Sequence, residues 1–459
     1  MATREARPAS SGRTRVRFPL PIPKDLTGIP PGPRGPQHLL GGQWLLREHR
    51  VLERWRRRYG DVFSLKAWPM GLLVVICEPA EIKRIFTGDP GQLEAGAGNV
   101  VVEPLGGPNS LFVLDGERHL HTRRLMLPSF HGERIRAYGD LIAEIAEAEI
   151  ERMPLGEPFQ LHPPMEAITL AVILRAVFGI EDLDRRIELE RLIPKLMNSP
   201  VLVWPPLAFD LGPYSPRQRF LTLRSQVDEM LYDEIERRRV DPRLESRDDV
   251  LSMLMLARDE NGEGMSDGEL RDQLVTLLLA GHETTATALA WTFERLLRNP
   301  DVLDRLRASL AEGDEKYLEC TIKEVLRSRP VVPYSLRRLS APMEVGGYSV
   351  PAGAILGMST ILTHSRADLY PEPDAFRPER FLDGGPDTYT WIPFGGGVRR
   401  CLGATFATLE MKQIVKRVLA RCELVAPDAK PERPAKHFVT YRPKRGTRVV
   451  LTERRPLSA

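Results

Sequence analysis

The sequence predicts a mainly α-helical protein with small β-sheets, folded as one large domain. Three observations carry this reading. From Ala80 onward most apolar segments repeat with the 3.6-residue period of an amphipathic helix. Strand-like stretches are confined to the beginning and the late part of the chain. No internal repeat and no compositional break divides the body of the 459 residues.

Taken in order, residues 1–29 read as a disordered basic arm. Arg4, Arg7, Arg13, Arg15 and Arg17 face only Glu5, and the apolar stretch of a secretory signal is missing. The body is 30–459. It opens with Ile29 to Pro36, where repeated proline fixes φ and removes N–H donors, so an extended strap is expected. Residues 43–59 read as a basic amphipathic helix stopped by Gly60, and 61–76 as a β-hairpin. Helical periodicity then marks 117–127, 133–153, 164–178, 217–239, 246–258 and 266–298. A β-like patch runs from Leu336 to Pro351 and turns at Gly346-Gly347. Residues 366–400 are rich in Pro, Gly and aromatics and show no period. A helix at 402–421 and a short β tail complete the chain. With 36 Gly and 40 Pro, long irregular connections are expected.

Composition excludes several classes. Lys+Arg 65 against Asp+Glu 62 leaves a net charge of +3, so bulk charge gives no nucleic-acid binder. Hydrophobic content of 42% and charged content of 28% exclude a disordered chain. Cys77, Cys320, Cys401 and Cys422 form no Cys-x-x-Cys pair, which argues against structural zinc or a disulfide scaffold. Few cysteines in a long chain fit a reducing compartment, and a cytoplasmic location is expected. No apolar run approaches the ~18 residues of a membrane span.

The most informative stretch is Phe394-Gly395-Gly396-Gly397-Val398-Arg399-Arg400-Cys401-Leu402-Gly403. Its glycines allow φ > 0 and close backbone approach to something large and flat. A helix N-terminus and two arginines beside Cys401 favour the thiolate. Such a thiolate could attack a substrate or bind a soft or borderline metal. A lone cysteine at a helix start is usually structural, but here the spacing Phe-x-x-Gly-x-Arg-x-Cys-x-Gly resembles the haem-binding loop of the cytochrome P450 family. The resemblance implies the P450 fold, with Cys401 as the proximal ligand of haem b iron. It also implies that Phe394 packs beside the sulfur, that Gly397 and Gly403 shape the loop, and that Arg399 pairs with a haem propionate.

Further matches follow. Glu324-Val325-Leu326-Arg327 resembles the family's Glu-x-x-Arg helix, with both side chains on one face. Arg380 of Pro378-Glu379-Arg380-Phe381 is implied to lock onto that pair, because planar guanidiniums can share one carboxylate. These three residues are read as structural support of the haem loop. Ala280-Gly281-His282-Glu283-Thr284-Thr285 lies within a helix that starts at a Ser266/Glu269 capping box. Gly and Thr are poor helix-interior residues, and the resemblance makes this an oxygen pocket. Ala280 and Gly281 would lie beside the haem, Thr284 would hydrogen-bond dioxygen, and Glu283 would relay protons. His119 and Arg123 share a helix face and resemble the family's propionate-contacting pair. Arg338 resembles its propionate-binding strand arginine, with Arg337 adjacent.

No fused reductase has room in the chain. Electrons are therefore expected from NAD(P)H through a separate ferredoxin or flavodoxin, docked on a basic face of Arg123, Arg124, Arg399, Arg400, Lys412 and Arg417. Val101, Val102, Leu277, Val332 and Val439 are candidate cavity residues. The apolar 201–209 run is a further lining segment or a membrane-surface contact. The resulting expectation is a monooxygenase acting on an apolar fatty acid, terpenoid, steroid or natural-product scaffold, by hydroxylation or epoxidation. A peroxide-driven peroxygenase is the alternative within the enzyme class, although Glu283-Thr284 argues against it. A non-catalytic haem-binding sensor or carrier is the alternative outside it. A cysteine hydrolase would need a His base that no motif supplies.

Overall fold

The computed structural model describes residues 20–456, apart from Pro69, 131–132, 204–211 and Pro213. Residues 1–19 of the arm and most of the apolar 201–209 run therefore lie outside the described residues. Residues 20–29, expected to belong to the arm, instead pack on the body. Leu20 is buried with Trp44 and Phe63, Leu26 and Ile29 rest on the sheet, and the Ser349 N–H donates to the Gly28 carbonyl at 3.0 Å.

Helices build most of the fold. The first, Gln37–Tyr59, starts directly after Pro36, six residues earlier than its periodicity suggests, and ends at Gly60 with φ 91°. Strands Val62–Ala67 and Gly71–Ile76 form the expected hairpin. Gly71–Ile76 is buried at every position because a parallel neighbour, Ile355–Ser359, continues the sheet. Tyr334–Leu339 and the short Leu93–Glu94 complete five strands. A turn of Gly346 (φ 59°) and Gly347 (φ 79°) joins Met343–Val345 to Tyr348–Val350 as expected.

Leu183–Met197 and Pro300–Ala311 are helices that the periodicity reading left unassigned. The segment expected at 164–178 is an α-helix from His162 to Val172 that widens into a π-turn at Ile173–Val177. Such turns mark local strain and often functional positions.

The central helix, Asp267–Leu297, carries the expected capping box and has 31 residues, about 46 Å at 1.5 Å per residue. Two large apolar clusters meet on it. One joins it to Glu133–Arg152, His162–Val172, Lys316–Ser328 and Ala404–Arg421. The other joins it to the 101–113 segment, Leu183–Met197 and Pro216–Arg239. Between these layers the helix is almost wholly buried. Between Leu270 and Glu294 only Leu277, Ala280, Gly281 and Thr284 retain partial exposure. Their spacing of i, i+3, i+4 and i+7 is one helical face, so a cavity runs along that face.

Candidate active site

Cys401 lies between a short turn at Gly397–Arg399 and the helix Ala404–Arg421. It is accessible, yet burial by surrounding protein dominates its acidity, a combination that a concave site produces. Burial pushes its thiol up. The Gly403 N–H and the fields of Arg123 and Arg400 pull it down without prevailing. The helix start and an adjacent arginine act in the expected direction, but burial outweighs them.

The loop geometry follows from its glycines. Gly395 (φ 66°) and Gly397 (φ 62°) are left-handed, and the Cys401 N–H closes the loop on the Phe394 carbonyl at 2.9 Å. A Cβ on Gly397 would lie 1.8 Å from the Phe86 carbonyl oxygen. Close approach there is made to Phe86, whereas a Cβ on Gly403 would meet open space.

A polar lock holds the loop from behind. Glu324 is fully buried and accepts from Arg327 Nε (2.6 Å) and Nη2 (2.8 Å), from Arg380 Nε (3.2 Å) and from the Arg377 N–H (2.9 Å). Arg327 also donates to the carbonyls of His364 (2.8 Å) and Pro373 (2.9 Å). His364, absent from every motif, carries the lock to the loop. Its Nε2 accepts from the Ile392 N–H at 2.9 Å, so its Nδ1 carries the proton toward the Arg327 carbonyl at 3.2 Å. Phe381, Trp391 and Phe394 then stack edge to face at 6.0 Å spacings.

A second group gathers cations. His119 is buried, and burial, Arg399, Arg123 and Arg337 push its pKa down to about 3. Arg123 donates to the Arg400 carbonyl at 2.7 Å, and Arg399 pairs with Asp115 at 2.7 Å. Arg337 is buried beside the Phe86 ring with no ion-pair partner among the described residues. Strand alternation turns Arg338 to the opposite side, where it pairs with Glu94 at 3.1 Å. The cluster therefore contains Arg337, and Arg338 is not part of it. A buried Arg337 without an ion pair among the described residues, flanked by the half-buried Arg123 and Arg399, calls for an anionic ligand.

On the central helix, the Thr284 hydroxyl donates to the Ala280 carbonyl, the back-bond expected of a mid-helix Thr. A Cβ on Gly281 would lie 2.8 Å from Ile173, at the π-turn. Glu283 is buried and held by His437 Nδ1 and Thr440 Oγ1, both at 2.6 Å, two partners that no motif announced. Burial would raise its pKa, but those hydrogen bonds and the fields of His437 and Arg442 outweigh it and hold the carboxyl below its ordinary value. Val101, Val332 and Val439 keep partial exposure and pack beside the clusters that flank the cavity, while Val102 is fully packed.

Comparison with known proteins decides what this arrangement is. The cytochrome P450 family model matches residues 30–449. The chain belongs to the cytochrome P450 family. Cytochrome P450 135B1 of Mycobacterium tuberculosis is 42% identical over 442 residues, covering 94% of this chain and 93% of that one. Cytochrome P450 135A1 of the same organism is 39% identical, covering 94% and 97%. Among solved structures, retinoic acid bound cyanobacterial CYP120A1 superposes with a TM-score of 0.82 at 26% identity, covering 95% and 100%. This P450 is thus a haem-dependent monooxygenase. The chemistry of the site fits the group: Cys401 is accessible, and the buried Arg337 with the half-buried Arg123 and Arg399 would meet the propionates. No helix among the described residues is long and apolar enough to cross a membrane.

The lock makes a pH prediction. Burial and Arg327 lower the pKa of His364 to about 3, so its neutral form is favoured in the fold. That stability is complete above the unfolded value near 6.5 and is lost as pH falls toward 3. His364→Gln should cost about 2 kcal/mol at pH 7.5 by leaving buried groups unpaired. At pH 5 the wild type should have lost about 2 kcal/mol through this group alone, so the gap measured by urea unfolding should nearly close.

Proposed function

We propose that this P450 inserts one oxygen atom into an apolar organic substrate, by hydroxylation or epoxidation, with electrons from a separate redox protein. The observation that carries the reading is the accessible face of Leu277, Ala280, Gly281 and Thr284 on an otherwise buried helix. The substrate is of the fatty acid, terpenoid, steroid or natural-product kind, because the surrounding side chains are apolar with few anchors.

When bound, the haem supplies dioxygen activation and oxygen transfer. Cys401 holds it from one side through sulfur. Arg123, Arg337 and Arg399 would neutralise its propionates, and the neutral His119 would offer them a ring N–H. Gly281 keeps its face free of a side chain. The Thr284 hydroxyl, which donates to the Ala280 carbonyl, would offer a hydrogen bond on the accessible face of the helix. Glu283, kept as a carboxylate by His437 and Thr440, would relay protons toward Thr284 rather than store one. The retained Glu283-Thr284 pair favours use of dioxygen over peroxide.

The redox partner is a ferredoxin or flavodoxin that meets Arg400, Arg123 and Arg124 around the exposed Val398. Lys412 and Arg417 contribute little to that face. Lys412 is paired with Glu315 (2.6 Å) and Glu319 (2.8 Å), and Arg417 with Glu147 (3.6 Å), whereas the Arg124–Glu260 pair (3.4 Å) is exposed on both sides and screened by solvent.

Two outcomes check the reading. Arg337→Ala should release haem to apomyoglobin at least several-fold faster than wild type, while Arg338→Ala should match wild type; the reverse order rejects the assignment. Thr284→Ala should keep consuming electrons from a surrogate ferredoxin while yielding several-fold less product per electron. Full coupling in that variant rejects the role of the hydroxyl.

A further inference from the structure

The carboxylate next to Thr284 is gripped from outside the central helix. Both of its hydrogen-bond partners, His437 and Thr440, belong to the hairpin Pro434–His437 and Thr440–Pro443. They form the last pair before the turn, so only Phe438 and Val439 separate the two groups that hold the acid. The turn is a strained one. Phe438 adopts φ 48°, a value that a two-residue hairpin loop ordinarily assigns to Gly or Asn.

These two turn residues reach into the apolar wall. Phe438 is buried in the same cluster as Val102, Leu105 and Leu278, and Val439 packs against it while remaining partly accessible. The rest of the hairpin is fixed. Trp291 Nε1 donates to the Tyr441 carbonyl at 3.0 Å, and the Tyr441 N–H donates to the Val331 carbonyl at 2.8 Å. The hairpin is thus anchored at Tyr441, next to Thr440, while its turn places a piece of cavity wall between the acid's two partners.

We propose that this hairpin couples occupancy of the apolar cavity to the position of the Glu283 carboxylate, with His437 and Thr440 as its positioning residues. A molecule pressing on Val439 displaces the turn, and His437 and Thr440, which flank it directly, move with it. The carboxylate is then either held on the hairpin or released toward Thr284. Strain at Phe438 makes the turn the part most ready to give way. Other charged or titratable groups near the acid are Arg442 of the hairpin, His162 and Glu166 of the His162–Val172 helix, and His282 of its own helix. His162 is engaged with Thr287 at 3.1 Å and stands 3.5 Å from Glu166, which leaves the hairpin as the direct partner of Glu283. The inference rests on the reading that Glu283 handles the proton.

The test is the infrared C–O stretch of the ferrous carbonyl form of the holoenzyme, which senses polar groups beside the ligand without turnover. Wild type should show one band. H437Q and T440V should displace or split it as E283Q does, T440S should restore it, and F438G and V439A should displace it without removing either partner. K436Q, on the same hairpin, should leave it in place. Should H437Q fail to fold, T440V with its T440S rescue carries the same comparison. A wild-type band in H437Q and T440V beside a displaced band in E283Q overturns the hairpin's role and spares that of Glu283. A wild-type band in E283Q overturns the role of Glu283 itself. Unchanged bands in F438G and V439A, or a displaced band in K436Q, overturn the coupling to the cavity wall.

Discussion

One buried carboxylate sets the geometry of the site. Glu324 has no contact with solvent, and an unpaired charge in that position would be costly by several kcal/mol. Four N–H groups meet it, from Arg327, Arg380 and the Arg377 backbone. Satisfying that charge forces the 371–380 segment against the Lys316–Ser328 helix. His364 then passes the constraint to Ile392, two residues before Phe394. A stretch without α-helix or strand acquires a fixed course in this way, and the cysteine at its end acquires a fixed place. The requirement is electrostatic and directional, which is why guanidinium groups perform it and a lysine would not.

The central helix shows the complementary constraint. Its buried faces carry Leu, Val, Phe and Trp, as packing demands. The one accessible face carries Ala280, Gly281 and Thr284, residues that sacrifice helix stability or packing for room and a hydroxyl. The weak turn is affordable because the same helix is held by layers on both sides. Local inconsistency at this point marks where the molecule gives up stability for chemistry.

Much of this was legible in the sequence, for a physical reason. Cys401, Glu324, Arg327, Glu283 and Thr284 sit in short segments that resemble motifs of the P450 family, and that resemblance also implied the tertiary contact of Arg380 with Glu324. The P450 family, its helical fold and the first hairpin were legible on the same grounds. Contacts made across the fold were not. His364 and His437 meet their partners through tertiary packing, and neither has a local pattern around it. Arg337 and Arg338 differ only in which side of a strand they occupy, and one residue of register reverses that side. Leu183–Met197 was hidden by its internal Pro194. The burial that raises the Cys401 thiol likewise depends on what surrounds it and could not be read from a helix start.

The account depends on sulfur from Cys401 being bonded to haem iron, and the ferrous carbonyl absorption spectrum addresses that bond most directly. Reduction of the purified holoprotein under carbon monoxide should give the strongly red-shifted Soret band of a thiolate-ligated adduct, and Cys401→Ser should abolish it. A band at the position of a nitrogen-ligated carbonyl haem, or the same red-shifted band in the serine variant, would contradict the account.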